Sequence, residues 1–490
     1  MERLIQRHFR VTMQTETARK LGGESVKKVA IIYGAYQNGI QKKAIEILTE
    51  SLLDYTLEYP VCFSADEITD LSEYRRIYIG TKENNAYIAQ NSANDLTHPE
   101  EYSIRVHGDI AVIEGSDDSG VLYGCVDFFD RFLVRCEHPN TDRYWINPFE
   151  QDWPDFELSS RPSIRQRGIW TWGHVIYNFK GFIDHMVRLK MNTLIVWNDH
   201  PPVNAKDMIA YAHACGVKLI WGFAWFWDTN CGTIDIEQAM AGSDEILAKY
   251  QREYHPLGGD GIYFQSFTEL STEKIGDHFI AEAVTAFVNK TAAGFLDQYP
   301  DMELQFGLHA TSVKNQLDYI RQVDPRVRIV WENCGSFPFS YIPDDIGQFD
   351  ETCAFVRKIA ALRGAADRFG VVTKGLTKLN WQEFEHIQGP VHPGVSSNWM
   401  KENRLIRKRR IWRFLQAGWI IHADKVWEMI RLLQQCKDGD LVATALVEDG
   451  MFGECIMYPV ALYAEMLWDQ QSDVKEIMQR VALRSNVTFA

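Results

Sequence analysis

From Ser163 onward, short apolar runs alternate with amphipathic helical stretches, and this alternation constrains the fold more than any other feature of the chain. The runs are Ile164–Trp172, Thr193–Trp197, Lys218–Trp225, Gly261–Phe267, Glu303–Leu308, Arg328–Trp331, Gly370–Thr373 and, least sharply, Val442–Val447. Helical patterns such as Phe179–Lys190 and Ala205–Cys215 separate the earlier ones. A strand apolar along its whole length is covered on both faces, which belongs to a parallel sheet built from βαβ units. Eight such units close into a (β/α)8 barrel of the TIM type, so the fold class is α/β and residues 160–490 are expected to form the barrel domain.

A smaller α/β domain is expected over residues 1–150. It reads as strand Val29–Tyr33, helix Lys42–Leu53 and strand Arg76–Gly80, then a hairpin of Tyr102–Val106 and Ile110–Glu114 about a His-Gly-Asp turn. Gly115-Ser-Asp-Asp-Ser-Gly120 leads from the hairpin into a helix ending at Leu133. The Pro- and acid-rich stretch Asn147–Pro162 marks the linker.

Composition narrows the function. A formal net charge of −15 repels a phosphate backbone, so nucleic acid is excluded as a partner. The charged N-terminus is unlike a signal peptide, and no run approaches the roughly 18 apolar residues of a membrane span, which points to a cytoplasmic protein that does not engage membranes. The nine cysteines are scattered without C-x-x-C or zinc-finger spacing and read as reduced thiols. Trp170, Trp172, Trp197, Trp221, Trp225 and Trp227 crowd one stretch. Such crowding serves a core, but sugar subsites also use Trp, because a pyranose offers an apolar C–H face to an aromatic ring.

Barrels of this kind carry their chemistry at the C-terminal ends of the strands. The polar residues there are Asn198, Asp199 and His200 after the second run, Trp227 and Asp228 after the third, and Thr268 and Glu269 after the fourth. His309 follows the fifth, and Glu332 and Asn333 the sixth. Each alone reads as a loop or cap residue; together, framed by Trp, they read as a site. Cleaving a glycosidic bond takes one carboxylic acid to protonate the leaving oxygen and a second carboxylate to attack or to activate water. Glu269 is the expected acid, with Phe267 and Tyr263 desolvating it and raising its pKa. Glu332, flanked by Trp331 and Asn333, is the expected nucleophile or base, ahead of Asp199, Asp228 and Glu448. The substrate-binding set is Arg167, Trp197, Asn198, Asp199, Trp227, Asp228, His309, Trp331 and Asn333. Trp221 is expected in the core, and at least two of Trp197, Trp225, Trp227 and Trp331 along the pocket.

No H-E-x-x-H, G-x-S-x-G or strand-borne G-x-G-x-x-G occurs, and Gly34–Gly39 has Ile40 where a phosphate loop needs Lys. No metal and no organic cofactor is expected.

The hairpin and its exit, Tyr102-Ser-Ile-Arg-Val through Ile-Glu-Gly-Ser-Asp-Asp-Ser-Gly-Val-Leu-Tyr-Gly124, resemble the end of the small domain that precedes the barrel in β-N-acetylhexosaminidases and α-glucuronidases. Arg161-Pro-Ser-Ile-Arg-Gln-Arg-Gly168 resembles their first barrel strand, and Phe182–Leu194 their next helix and strand. The resemblance covers about residues 100–270. It implies a hydroxyl-binding role for Arg167 and the acid role for Glu269. Substrate-assisted hexosaminidases place Asp before that Glu, where this chain has Thr268; the Phe-Thr-Glu ending looks more like α-N-acetylglucosaminidases, whose second carboxylate comes from a later strand, as Glu332 does. Against that resemblance the chain is expected to lack room for the long helical C-terminal domain that α-glucuronidases and α-N-acetylglucosaminidases usually carry, and a second subunit of a homo-oligomer is one way to supply the missing wall. The reading is an exo-acting hydrolase of small oligosaccharides bearing a terminal amino sugar or uronic acid. The alternatives are a metal-dependent barrel isomerase or lyase and a non-catalytic carbohydrate-binding protein.

Overall fold

The computed structural model describes residues 27–35, 37–56, 58–66, 70–92, 95–135, 148–149, 151–226, 234–332, 349–376, 389–394, 406–437, 439–447, 450–469 and 471–484. The chain divides into two compact units, Met1–Arg161 and Pro162–Ala490.

In the first unit, strands β1 (Lys28–Tyr33), β2 (Val61–Ser64), β3 (Tyr74–Gly80), β4 (Tyr102–His107), β5 (Ile110–Gly115) and β6 (Phe156–Ser160) form one sheet in the order β2-β1-β3-β5-β4-β6. Strands β2, β1, β3 and β5 run parallel, while β4 pairs antiparallel with both β5 and β6. Helices Gly39–Thr56 and Asp118–Leu133 bury periodic apolar residues, among them Ala44, Ile47, Leu48 and Leu52 on one and Val121, Cys125, Phe128 and Phe132 on the other. The second helix starts where Asp117 accepts the Gly120 N–H at 2.7 Å, a side-chain N-cap.

The second unit is the barrel. Strands β7 (Gln166–Trp172), β8 (Thr193–Trp197), β9 (Lys218–Ala224) and β10 (Gly261–Gln265) are followed by a short hairpin of β11 (Lys274–Ile275) and β12 (His278–Phe279). Then come β13 (Glu303–His309), β14 (Val327–Glu332), β15 (Phe369–Thr373) and β16 (Leu441–Leu446). All but the hairpin pair in parallel, in chain order, and β16 returns to β7 to close an eight-stranded barrel. Alternate residues face the interior. There Trp170, Trp172, Ile195, Trp197, Ile220, Tyr263, Val330, Val372 and Leu446 make one buried cluster. The intervening residues meet the helical layer. Trp225, for example, stacks on Phe264 at 3.6 Å and on Phe295 of helix Ile280–Gln298 at 5.1 Å.

Helix Tyr458–Trp468 docks beside β7 through buried charge. The Lys190 ammonium, fully buried, pairs with Glu465 at 3.1 Å and lies 4.7 Å from the Trp468 ring. Among the described residues no helix is long and apolar enough to cross a membrane.

Candidate active site

The inward-facing ends of consecutive strands bring a set of polar groups together. Glu332 ends β14, two residues beyond interior Val330, and is 2 % exposed. His309 ends β13 beside it, in register. The His309 Nε2 lies 2.6 Å from Glu332 Oε2, and Nδ1 lies 3.2 Å from Oε2 of Glu269, which follows β10. The Lys374 ammonium, just past β15, is 3.2 Å from Glu332 Oε2. The Tyr263 hydroxyl and the Gln265 amide, i and i+2 on β10, donate to Glu332 Oε1. Gly307 leaves room for this, since a Cβ there would lie 2.7 Å from Glu332 Oε1.

The two carboxylates are unequal. Burial by itself opposes charge on Glu332, but the neighbouring His309 and Lys374 charges and the hydrogen bonds from His309 and Tyr263 outweigh it and hold the carboxyl well below the usual range. Glu332 is therefore an anion whose roughly four lone-pair sites meet four donors. Glu269 has 44 % of its side chain exposed. Burial raises its pKa and Glu332 adds to that, but the hydrogen bond and charge of His309 prevail, with Lys374 helping, and the carboxyl sits below its ordinary value. The distance between the carboxylates follows from the ring that joins them. The two nitrogens of an imidazole are about 2 Å apart, so the nearest oxygens are at most about 8 Å apart, inside the limit for carboxylates that flank a glycosidic bond.

Several expectations need correction. A raised Glu269 pKa is not what the geometry produces, because Phe267 packs outward on Phe287 and a cationic partner, His309, stands where an apolar wall was expected. Arg167 lies near the start of β7 and faces the helical layer, not the site. Its guanidinium donates to the carbonyls of Lys190 (2.8 and 3.0 Å) and Ile164 (2.7 Å) and covers Trp468 at 5.1 Å. Trp331 also faces outward, onto Phe355 of helix Phe349–Ala360 at 5.3 Å, as does Trp225. The cause is common to all three: strand alternation turns a neighbour of an inward residue outward.

Trp197 faces the interior, stacked with Trp170 at 5.8 Å, and Trp221 is in the outer core, donating to the Gly258 carbonyl at 2.9 Å. Asn198 is buried at the end of β8, its amide donating to the His200 carbonyl. Asp199 is exposed and accepts the Ala224 N–H at 3.4 Å. Trp227, Asp228, Asn333 and Glu448 lie outside the described residues. Thr268 accepts the His309 N–H on its hydroxyl at 3.3 Å and the Ser312 hydroxyl on its carbonyl at 2.6 Å, so it clamps one rim loop to the next.

Strand-end reading overlooked Lys374, although it directly follows the run Gly370–Thr373, and gave Gln265 no role. It also passed over Trp170 and Trp172, whose i, i+2 spacing marks them as one face. Among the described residues no group of three or more His, Cys, Asp or Glu side chains is arranged to hold a metal ion.

No family model matches the chain, and no curated protein sequence matches it. Solved structures do. A GH138 enzyme targeting pectin rhamnogalacturonan II matches 92% of the chain at 14% identity and a TM-score of 0.52. The chain spans about half of that protein, 52% of its length. The chitobiase of Flavobacterium johnsoniae, from family GH20, matches 94% of the chain and 69% of its own length at 12% identity and a TM-score of 0.56. The protein designated CpGH84B matches 94% of the chain and 71% of its own length at 11% identity and a TM-score of 0.52. At these identities the likeness is one of fold: a closed parallel barrel that glycoside hydrolases share.

Proposed function

We propose that the chain is a glycoside hydrolase that removes a terminal amino sugar or uronic acid from small oligosaccharides, with Glu269 as proton donor and Glu332 as the second carboxylate. The observation that carries this reading is the line Glu269, His309, Glu332 at the ends of β10, β13 and β14, one carboxylate on each nitrogen of a single imidazole. The fold it shares with three glycoside hydrolases supports it.

Glu269, the exposed end of the line, is placed to meet a glycosidic oxygen arriving from solvent. Its proton goes to the departing oxygen as the bond to the anomeric carbon breaks. His309 then returns a proton to Glu269, and the ionised Glu332 balances the charge on the ring during the transfer. Glu332 is fully engaged by four donors, so attack by it, or by a water it deprotonates, requires His309 to let go of one oxygen. A carboxyl separation near 5 Å would mean retention, and one of roughly 6.5–9.5 Å inversion, in which a water fits between sugar and base. The indoles of Trp170, Trp172 and Trp197 lie buried together in the barrel interior.

Two features bear on the sugar. Lys374 is a cation at the site and suits a uronic acid carboxylate, whereas the fold likeness to a chitobiase favours an amino sugar. Chromogenic aryl N-acetylhexosaminides and aryl uronides, run on the wild type, Glu269→Gln and Glu332→Gln, decide. Turnover of one class is expected, collapsing in Glu332→Gln on every aryl glycoside and in Glu269→Gln only where the leaving group needs a proton. No turnover of any aryl glycoside would sink the reading. Activity removed by a chelator and restored by a divalent ion would favour a metal-dependent isomerase or lyase instead.

A further inference from the structure

At the other end of the barrel, beside the first residue of β10, lies an open groove of about 500 Å3. Its walls come from the turn Tyr250–Asp260 and from Gln298–Met302, where helix Ile280–Gln298 ends. That volume falls within the roughly 300–1,000 Å3 of small-molecule sites. Five strand residues at about 3.3 Å each separate it from the Glu269 rim, on the order of 15 Å, so it is not part of the catalytic pocket.

Three aromatic rings form a continuous surface there. Tyr250 and His255 are near parallel (25°) at 5.8 Å, and Tyr299 meets Tyr250 edge-on at 5.4 Å and His255 at 4.8 Å. His255 is exposed and the two tyrosines are half-buried. Tyr250 rests in turn on Phe295 at 5.4 Å, which anchors the surface to the core. Two carboxylates, Asp260 and Asp301, border the rings, and no Lys or Arg lines the groove. Gly258 and Gly259 keep the wall low, with φ of +90° and +115° that a side chain would rarely tolerate.

We infer that this groove is a second glycan-binding site, one that holds two or three rings of an uncharged saccharide chain away from the catalytic pocket. With Tyr250 covered by His255 and Phe295, the outward faces of His255 and Tyr299 receive the C–H faces of pyranose rings, and Asp301 and the second oxygen of Asp260 accept hydrogen bonds from their hydroxyls. Asp301 and Asp260, the latter paired with His213 at 2.9 Å, without a Lys or Arg in the lining disfavour uronate polymers and phosphates alike, so the occupant is neutral. The rings pack directly on one another and leave no gap between parallel faces, which argues against a caged organic cation. The choice of a saccharide rests on the proposed glycosidase reading; the groove's geometry does not.

Affinity electrophoresis of the full chain through gels holding hydroxyethyl cellulose, glucomannan or mixed-linkage β-glucan tests the inference, with polygalacturonate as the acidic control. At least one neutral polymer should retard the wild type. Tyr299→Ala should weaken retardation about 3- to 10-fold, the worth of one aromatic contact, and leave kcat and KM on a small aryl glycoside unchanged. Asp301→Ala, which removes an exposed carboxylate and keeps the rings, should also weaken it and covers the case in which Tyr299→Ala does not fold. The inference is overturned if no neutral polymer retards the wild type, if polygalacturonate retards it more, or if both variants run as the wild type does. Retardation without any aryl glycoside turnover would uphold the groove while overturning the catalytic reading.

Discussion

Replacing Glu269 by Gln separates chemistry from folding because of where this carboxylate sits. Its ion pair with His309 spans 3.2 Å, but 44 % of the side chain is exposed, so losing the pair should cost at most about 1 kcal/mol of stability. The variant should therefore fold, and its kinetics can be read directly. Glutamine keeps the shape and loses the titratable proton, so turnover of substrates with poor leaving groups should drop by about 100-fold or more. Aryl substrates whose leaving group needs no proton should be nearly unaffected.

The pH profile gives a second magnitude. A carboxyl at the ordinary value of 4.5 is protonated in about one molecule in 300 at pH 7, and His309 makes that fraction smaller. Wild-type kcat/KM on a poor leaving group should then rise as pH falls from 7 toward 5, by up to about ten-fold per unit. Glu269→Gln should lose that rise. Steady-state kinetics on a series of aryl glycosides of graded leaving-group pKa, from pH 4.5 to 8, measures both effects. Full activity in the variant, or a wild-type profile flat across that range, would refute the proton-donor assignment.

Other expectations follow from the same neighbourhood. Glu332→Gln leaves Lys374 and His309 without their anion and should cost about 3–5 kcal/mol, read as a lowered denaturant midpoint alongside lost turnover. Because the folded pKa of Glu332 is depressed, its stabilisation is present above the ordinary 4.5 and fades as pH falls below it; acid titration of stability should show a steeper limb in the wild type than in Glu332→Gln. Asp469, held down to about 2 against burial by bonds from Ser472 and Gln471 and by Arg480, adds to the same limb. Its stabilisation should be lost between about pH 4 and pH 2, and Asp469→Asn should flatten that interval. Gly307→Ala should push Tyr263 or Glu332 from place, cost about 1–3 kcal/mol as an overpacked core does, and abolish turnover; normal kinetics in a folded Gly307→Ala would show that the contact is dispensable.

The eight strands were readable from the chain because a barrel strand must be apolar on both faces, and such runs stand out between amphipathic helices. Thr193–Trp197 has the bounds its pattern suggests. The rule that polar residues at strand ends carry chemistry led to Glu269, His309 and Glu332, which meet in space. The same rule included Trp331 and, through resemblance, Arg167, which do not. Local pattern cannot tell which of two adjacent residues at a strand end faces inward when both faces are buried, since both sides then look equally apolar. Closure of the barrel settles that, and it turned Trp225, Trp331 and Arg167 into the helical layer while placing Trp170 and Trp172 inside.

Sequence alone thus determined the strands, their order and the rim on which acid residues gather, because burial on both faces and strand periodicity are written in the local pattern. Tertiary structure decided the partners, and with them the charges. Glu269, expected to be a desolvated acid with a raised pKa, has its carboxyl drawn down by an imidazole forty residues further along the chain. Glu332 owes its depressed pKa to His309 and to a lysine just past the next strand. A pKa is set by what lies within a few ångströms, and in a parallel barrel those neighbours come from adjacent strands separated in sequence by a whole helix.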